Sequence, residues 1–103
     1  MIKKQFLKTK PVCKATFTLP VEAAPEAETV QLVGDFNDWK IDDAPEMKKQ
    51  KNGMFKLVLD LETGKNYEYR YLVDGTVWIN DWEADEYTPN PYGVDNCVVV
   101  ASN

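Results

Sequence analysis

The sequence predicts an all-β fold, an antiparallel β-sandwich of immunoglobulin-like type, and three observations carry that expectation. Apolar and polar residues alternate with a period of two in several short runs; Gly, Pro, Asn and Asp clusters separate the runs; no stretch holds the 3.6-residue period of a helix. Short strands joined by frequent turns indicate two packed sheets. At 103 residues the chain has room for one domain with one core.

Residues 1–10 carry Lys3, Lys4, Lys8 and Lys10 and read as a basic N-terminal arm ahead of a single domain over 11–103. Their charge is that of an export signal, but no apolar run follows, so a cytoplasmic location is expected. Cys13, Ala15, Phe17 and Leu19 then share one face of a strand, and Lys14, Thr16 and Thr18 the other. Pro20 ends it, and Pro25 argues against a helix in the Ala/Glu-rich stretch 20–29.

Val30, Leu32 and Val33 form a buried strand that runs into the turn residues Gly34, Asp35, Asn37 and Asp38, beyond which Trp39 stands at a rim. The polar stretch 40–52, with Pro45, reads as an exposed loop closed by Asn52-Gly53. Phe55, Leu57, Leu59 and Leu61 alternate with Lys56, Val58, Asp60 and Glu62. After a hairpin at Thr63-Gly64-Lys65-Asn66, Tyr67, Tyr69, Tyr71 and Val73 alternate with Glu68, Arg70, Leu72 and Asp74, which makes an antiparallel pair. An Asp74-Gly75 turn precedes a short strand, Val77-Trp78-Ile79. Residues 81–96 read as a long irregular acidic segment that packs through Trp82, Tyr87 and Tyr92, with Trp82 as its core, and 97–101 as a closing apolar strand.

Composition narrows the function. The formal net charge of −5 opposes nucleic acid, and the lysine groups 3–14 and 48–51 lack arginine, since Arg70 is the sole one; they read as solvated surface. No run is long enough to span a bilayer. The chain has no histidine, which removes the commonest general base, the commonest metal ligand and every Ser-His or Cys-His nucleophile. Carboxylate pairs would need a walled site, which a bare sandwich of this size does not provide. The acids of 81–86 lack the spacing of a calcium loop. No catalytic residue, metal or cofactor is therefore expected. Cys13 and Cys97 read as reduced core residues, with a bridge between terminal strands as the alternative.

The aromatic residues remain. Phe17, Phe55, Tyr69 and Tyr71 fall on core faces, whereas Trp39 and Trp78 lie just beyond turns beside polar residues. A pyranose ring is a disc with apolar C–H faces and a rim of hydroxyls, so an indole can stack on it while Arg70, Lys40, Asp95 and Asn96 hydrogen-bond the rim. Arg70 lies on the face opposite Tyr69 and Tyr71. On residues alone, a sugar-binding surface and a protein-interaction sandwich both stand.

Val33-Gly34-Asp35-Phe36-Asn37-Asp38-Trp39, Tyr69-Arg70-Tyr71-Leu72-Val73-Asp74-Gly75, Trp78 and Asn90-Pro91-Tyr92-Gly93-Val94-Asp95-Asn96 together resemble the isoamylase N-terminal, or early-set, domains of carbohydrate-binding module family 48. The pattern is similar to the glycogen-binding domain of the AMP-activated protein kinase β subunit. The resemblance implies a non-catalytic α-1,4-glucan (glycogen- or starch-like) binding module, with a polysaccharide or oligosaccharide as partner. It implies that Trp39 and Trp78 stack on glucose and Arg70 contacts hydroxyls, while Asp95-Asn96 stands where the kinase domain has an Asn pair. The alternative is a small regulatory protein that docks on an enzyme of glycogen metabolism without binding sugar strongly.

Overall fold

The computed structural model describes residues 2–102. Among the described residues nine strands, more than the alternation marks, form the two antiparallel sheets of the expected sandwich. One sheet has the order β1-β2-β5-β4, from Ile2–Phe6 (β1), Val12–Leu19 (β2), Phe55–Glu62 (β5) and Lys48–Lys49 (β4). The other has the order β3-β6-β9-β8, from Val30–Gly34 (β3), Lys65–Val73 (β6), Asp95–Ala101 (β9) and Glu86–Pro89 (β8). Val77–Ile79 (β7) also pairs with β6.

The core lies between the inner faces that the period of two defines. Cys13, Ala15, Phe17 and Leu19 of β2 meet Val30 and Leu32 of β3, Tyr69 and Tyr71 of β6, and Cys97 and Val99 of β9, all buried. Phe17 stands edge-on to Tyr69 at 5.2 Å between ring centroids, and Tyr69 to Tyr71 at 5.8 Å, the geometry in which aromatic quadrupoles attract.

Three expectations are corrected. The basic arm expected over 1–10 supplies the edge strand β1, in register from Ile2↔Phe17 to Phe6↔Cys13. Ile2 and Phe6 pack on the core, and Lys4 reaches the Asp85 carboxylate at 2.6 Å. Residues 1 and 103, the outer ends of the expected arm and domain, lie outside the described residues.

The stretch 40–52 is not an exposed loop. Ala44 and Met47 are buried, β4 pairs with β5, and the segment covers the free edge of β3: Leu32 N–H donates to Pro45 C=O and Met47 N–H to Val30 C=O. An open edge of backbone donors and acceptors is satisfied in this way.

The segment 81–96 contains β8, and its polarity is the reverse of that expected. Asp81 is buried, because its carboxylate accepts the hydroxyls of Tyr69 (3.0 Å) and Tyr71 (3.1 Å), while Trp82 is 64% exposed and Tyr92 89%. Of the three aromatics only Tyr87 ties into the segment, its hydroxyl donating to Asp81 C=O at 2.6 Å.

Two features that position the site yield predictions. Gly34 lies opposite Tyr69 at the end of β3, in extended backbone that any residue adopts, but a Cβ there would stand 2.3 Å from Glu68 O and 2.8 Å from Tyr69 Cβ. Gly34→Ala is expected to lower stability by about 1–3 kcal/mol, measured by urea unfolding.

Asp74 turns the chain from β6 into β7. Its Oδ1 accepts the N–H groups of Glu28 and Thr29, at 2.8 and 2.9 Å, and those two bonds hold its carboxyl below the usual range. A folded value below the unfolded one contributes stability that is present above the unfolded value, about pH 4, and is lost as pH falls through the folded one. Asp74→Asn is expected to unfold along a shallower acid limb than wild type, with a gap that closes towards pH 2 in a circular-dichroism titration.

Candidate functional site

The site lies on the outer face of the β3-β6-β9-β8 sheet. The pleat that turns Tyr69 and Tyr71 inward turns Arg70 and Leu72 outward. Trp78 stands opposite Leu72 in the β6–β7 register, so it joins the outer face, and Val33, opposite Arg70, joins from β3. Leu72 and Val33 are outward yet fully covered: Trp39 and Ala44 fold over them in a second, small apolar cluster.

Trp39 is held in an unfavourable backbone conformation. Asp38 and Trp39 both have positive φ, 54° and 58°, a region that bulky residues rarely enter. Three contacts offset this. Trp39 N–H donates to Gly34 C=O at 2.9 Å, its indole Nε1–H donates to Asp35 Oδ1 at 2.9 Å, and the ring packs on the small cluster. Asp35 is itself held, because its Oδ2 accepts Glu68 N–H at 2.8 Å. The half-buried ring is thereby fixed in orientation with one side to solvent.

Trp78 is 38% exposed. The guanidinium of Arg70 lies 5.9 Å from its ring centroid, within cation–π range, and Arg70 Nε–H donates to Asn80 Oδ1 at 2.7 Å. Asn80 in turn donates from Nδ2 to Asp95 C=O at 3.0 Å.

Trp39, Arg70, Trp78 and Asn96 line a groove of about 590 Å³ whose far wall is the turn 90–94. Asn90 builds that wall: its Oδ1 accepts the N–H of Tyr92 (2.9 Å) and of Val94 (3.3 Å), and Gly93 takes φ 82° at the tip. Asn96 braces it, accepting from Asn90 Nδ2 and donating to Glu68 Oε1, both at 3.1 Å.

Of the six residues singled out from sequence, four meet here: Trp39, Trp78, Arg70 and Asn96. Lys40 is exposed and does not line this groove; it borders a second depression with Ile41, Asp42 and Asp43, which shares Trp39 with the groove. Asp95 does not line the groove; it alternates with Asn96 along β9 and contributes its carbonyl to Asn80. Sequence reasoning missed Tyr92 and Asn90, which line the groove, and Asn80, which does not line it but bonds Arg70. The Asn-Pro-Tyr-Gly turn was the available signal, because a tight turn holds its third residue at the tip.

The lining offers two indoles, a phenol, a guanidinium and two amides, and it includes no carboxylate. Among the described residues no group of three or more His, Cys, Asp or Glu is placed to hold a metal ion, and no helix is long and apolar enough to cross a membrane. Cys13 and Cys97 are free and buried; burial raises both thiols, Cys97 to about 11, while Asp81 N–H bonds its sulfur at 3.1 Å.

An immunoglobulin-like sandwich with an aromatic groove on one outer face is an architecture used by several classes of binding domain. Comparison gives the particular one: the profile of carbohydrate-binding module 48 (isoamylase N-terminal domain) matches residues 21–93, more than two thirds of the chain, which therefore belongs to that family. Protein PTST homolog 2, chloroplastic, of Arabidopsis thaliana is 36% identical over 78 residues, 74% of this chain and 13% of that protein. The 1,4-alpha-glucan branching enzyme GlgB 2 of Xanthomonas campestris pv. campestris (strain 8004) is 43% identical over 56 residues, 52% of this chain and 8% of the enzyme. The chain thus spans only a small part of the length of these relatives.

Removing the Asp35 carboxylate releases both Trp39 Nε1–H and Glu68 N–H. Asp35→Ala is expected to lower stability by about 1–2 kcal/mol and to shift tryptophan emission to longer wavelength, read by urea unfolding followed by fluorescence.

Proposed function

We propose that this chain is a non-catalytic α-1,4-glucan-binding module. The observation that carries the reading is the convergence of Trp39, Trp78 and Arg70 on one open groove of the outer face. An indole buries the C–H face of a glucose ring while the guanidinium donates to its hydroxyl rim, a match of shape and polarity that needs no charge on the ligand. Most glycoside hydrolases use a pair of carboxyl groups across the scissile bond, a pair that the groove lining does not offer. Family membership and the glucan in the branching enzyme's name support the same ligand class. Tyr92, at the tip of the far wall, adds a third ring to the platform. The ligand is a glycogen- or starch-like chain or its oligosaccharides, met in the cytoplasm.

A second reading, docking on an enzyme of glycogen metabolism with little sugar binding, draws on Trp39, whose half-buried ring covers Val33 and Leu72 and has a structural role of its own.

Native-gel affinity electrophoresis with glycogen, followed by calorimetric titration with maltoheptaose, separates the two. The glucan reading expects retardation of wild type and a loss of at least about tenfold in affinity, ~1.4 kcal/mol, in folded Trp39→Ala and Trp78→Ala. Absence of retardation, with no heat from maltoheptaose, transfers the assignment to protein docking.

A further inference from the structure

On the edge of β6 that faces β7 and β9, the ladder to β7 runs over Tyr71–Val73 and the ladder to β9 over Lys65–Tyr69. Arg70 is the one residue between them, at the break where the sheet passes from one neighbour to the other. Asn80, immediately after β7, spans the break with its side chain: Oδ1 takes Arg70 Nε–H at 2.7 Å and Nδ2 reaches the carbonyl of Asp95, the first residue of β9, at 3.0 Å.

We propose that Asn80 is a positioning residue that presents Arg70 to the ligand. The inference rests on the glucan reading. Arginine has many rotamers, and ordering it on ligand binding carries an entropic penalty unless the free protein already holds it. Asn80 holds it by Nε alone, and Trp78 lies beside the guanidinium, so the Nη atoms stay available to hydroxyls. Arg70 makes no ion pair among the described residues.

The plain rival is that Asn80 only staples β7 to β9. A double-mutant cycle on the 103-residue chain, titrated with maltoheptaose, separates the roles. Positioning through Arg70 predicts that Asn80→Ala and Arg70→Ala each weaken binding by about tenfold and that the double variant is no weaker than either. Asn80→Asp retains the oxygen for Arg70 but loses the donor to Asp95, and is expected to bind within about threefold of wild type.

Additive losses in the double variant, wild-type affinity in Asn80→Ala, or an Asn80→Asp as weak as Asn80→Ala overturns the proposal. A readout independent of sugar is the Arg70 Nε–H resonance, expected to be slow to exchange in wild type and Asn80→Asp and fast in Asn80→Ala; fast exchange in wild type overturns it too. Wild type that keeps this resonance but gives no heat with maltoheptaose removes the glucan reading and, with it, a ligand-presenting role for Asn80, an outcome distinct from failure of the cycle.

Discussion

The carboxylate of Asp81 accepts the hydroxyls of Tyr69 and Tyr71 in the interior, and much of the molecule follows from that demand. Two phenols at the centre of an apolar core need acceptors, since an unmet buried donor is destabilising. Burial first, and then their neighbourhood including Asp81, keeps both phenols protonated far above the ordinary tyrosine range. Drawing Asp81 inward fixes the chain just after β7. Asn80, one residue earlier, comes to rest beside Arg70, and Trp82, one residue later, is left in solvent.

The outer face depends on the same strand. Because β6 alternates, the tyrosines that fill the core oblige Arg70 and Leu72 to face out, and Leu72 needs a cover. Trp39 supplies it. The left-handed backbone that carries Trp39 over the sheet is unfavourable by itself, and it persists through the bonds to Gly34 C=O and Asp35 and the apolar contact beneath the ring. One indole thus serves stability on its lower side and faces the groove on its upper side.

Most of the polar atoms around the groove have internal partners. Asn90, Asn96 and Asn80 hold the wall turn, Glu68 and the β7–β9 break respectively, so these amides shape the surface. The guanidinium of Arg70, anchored at Nε, retains its remaining donors. A groove built in this way is organised before any ligand arrives, and preorganisation reduces the entropic penalty of binding.

The strands β2, β5 and β6, their inward faces and the outward aim of Arg70 were legible in the sequence, because alternation is a local property of extended chain. The turns ahead of Trp39 and Trp78 were legible for the same reason, since Gly, Asn and Asp encode backbone conformation within a few residues. The strands β1, β4 and β8 were not: a lysine-rich or proline-bearing stretch lacks the alternation of a strand and becomes one only when a neighbouring strand offers it hydrogen bonds, as β2, β5 and β9 do. The same limit governed the site. Lys40 and Asp95 neighbour groove residues in sequence yet fall outside the groove, and Asn90 and Tyr92 enter it, because which side chains share a surface depends on strand register and on the turn that Asn90 closes. Local pattern by itself determined the layers and the outward tryptophans; tertiary structure decided the membership of the groove, since pairing partners and burial are set by residues tens of positions away.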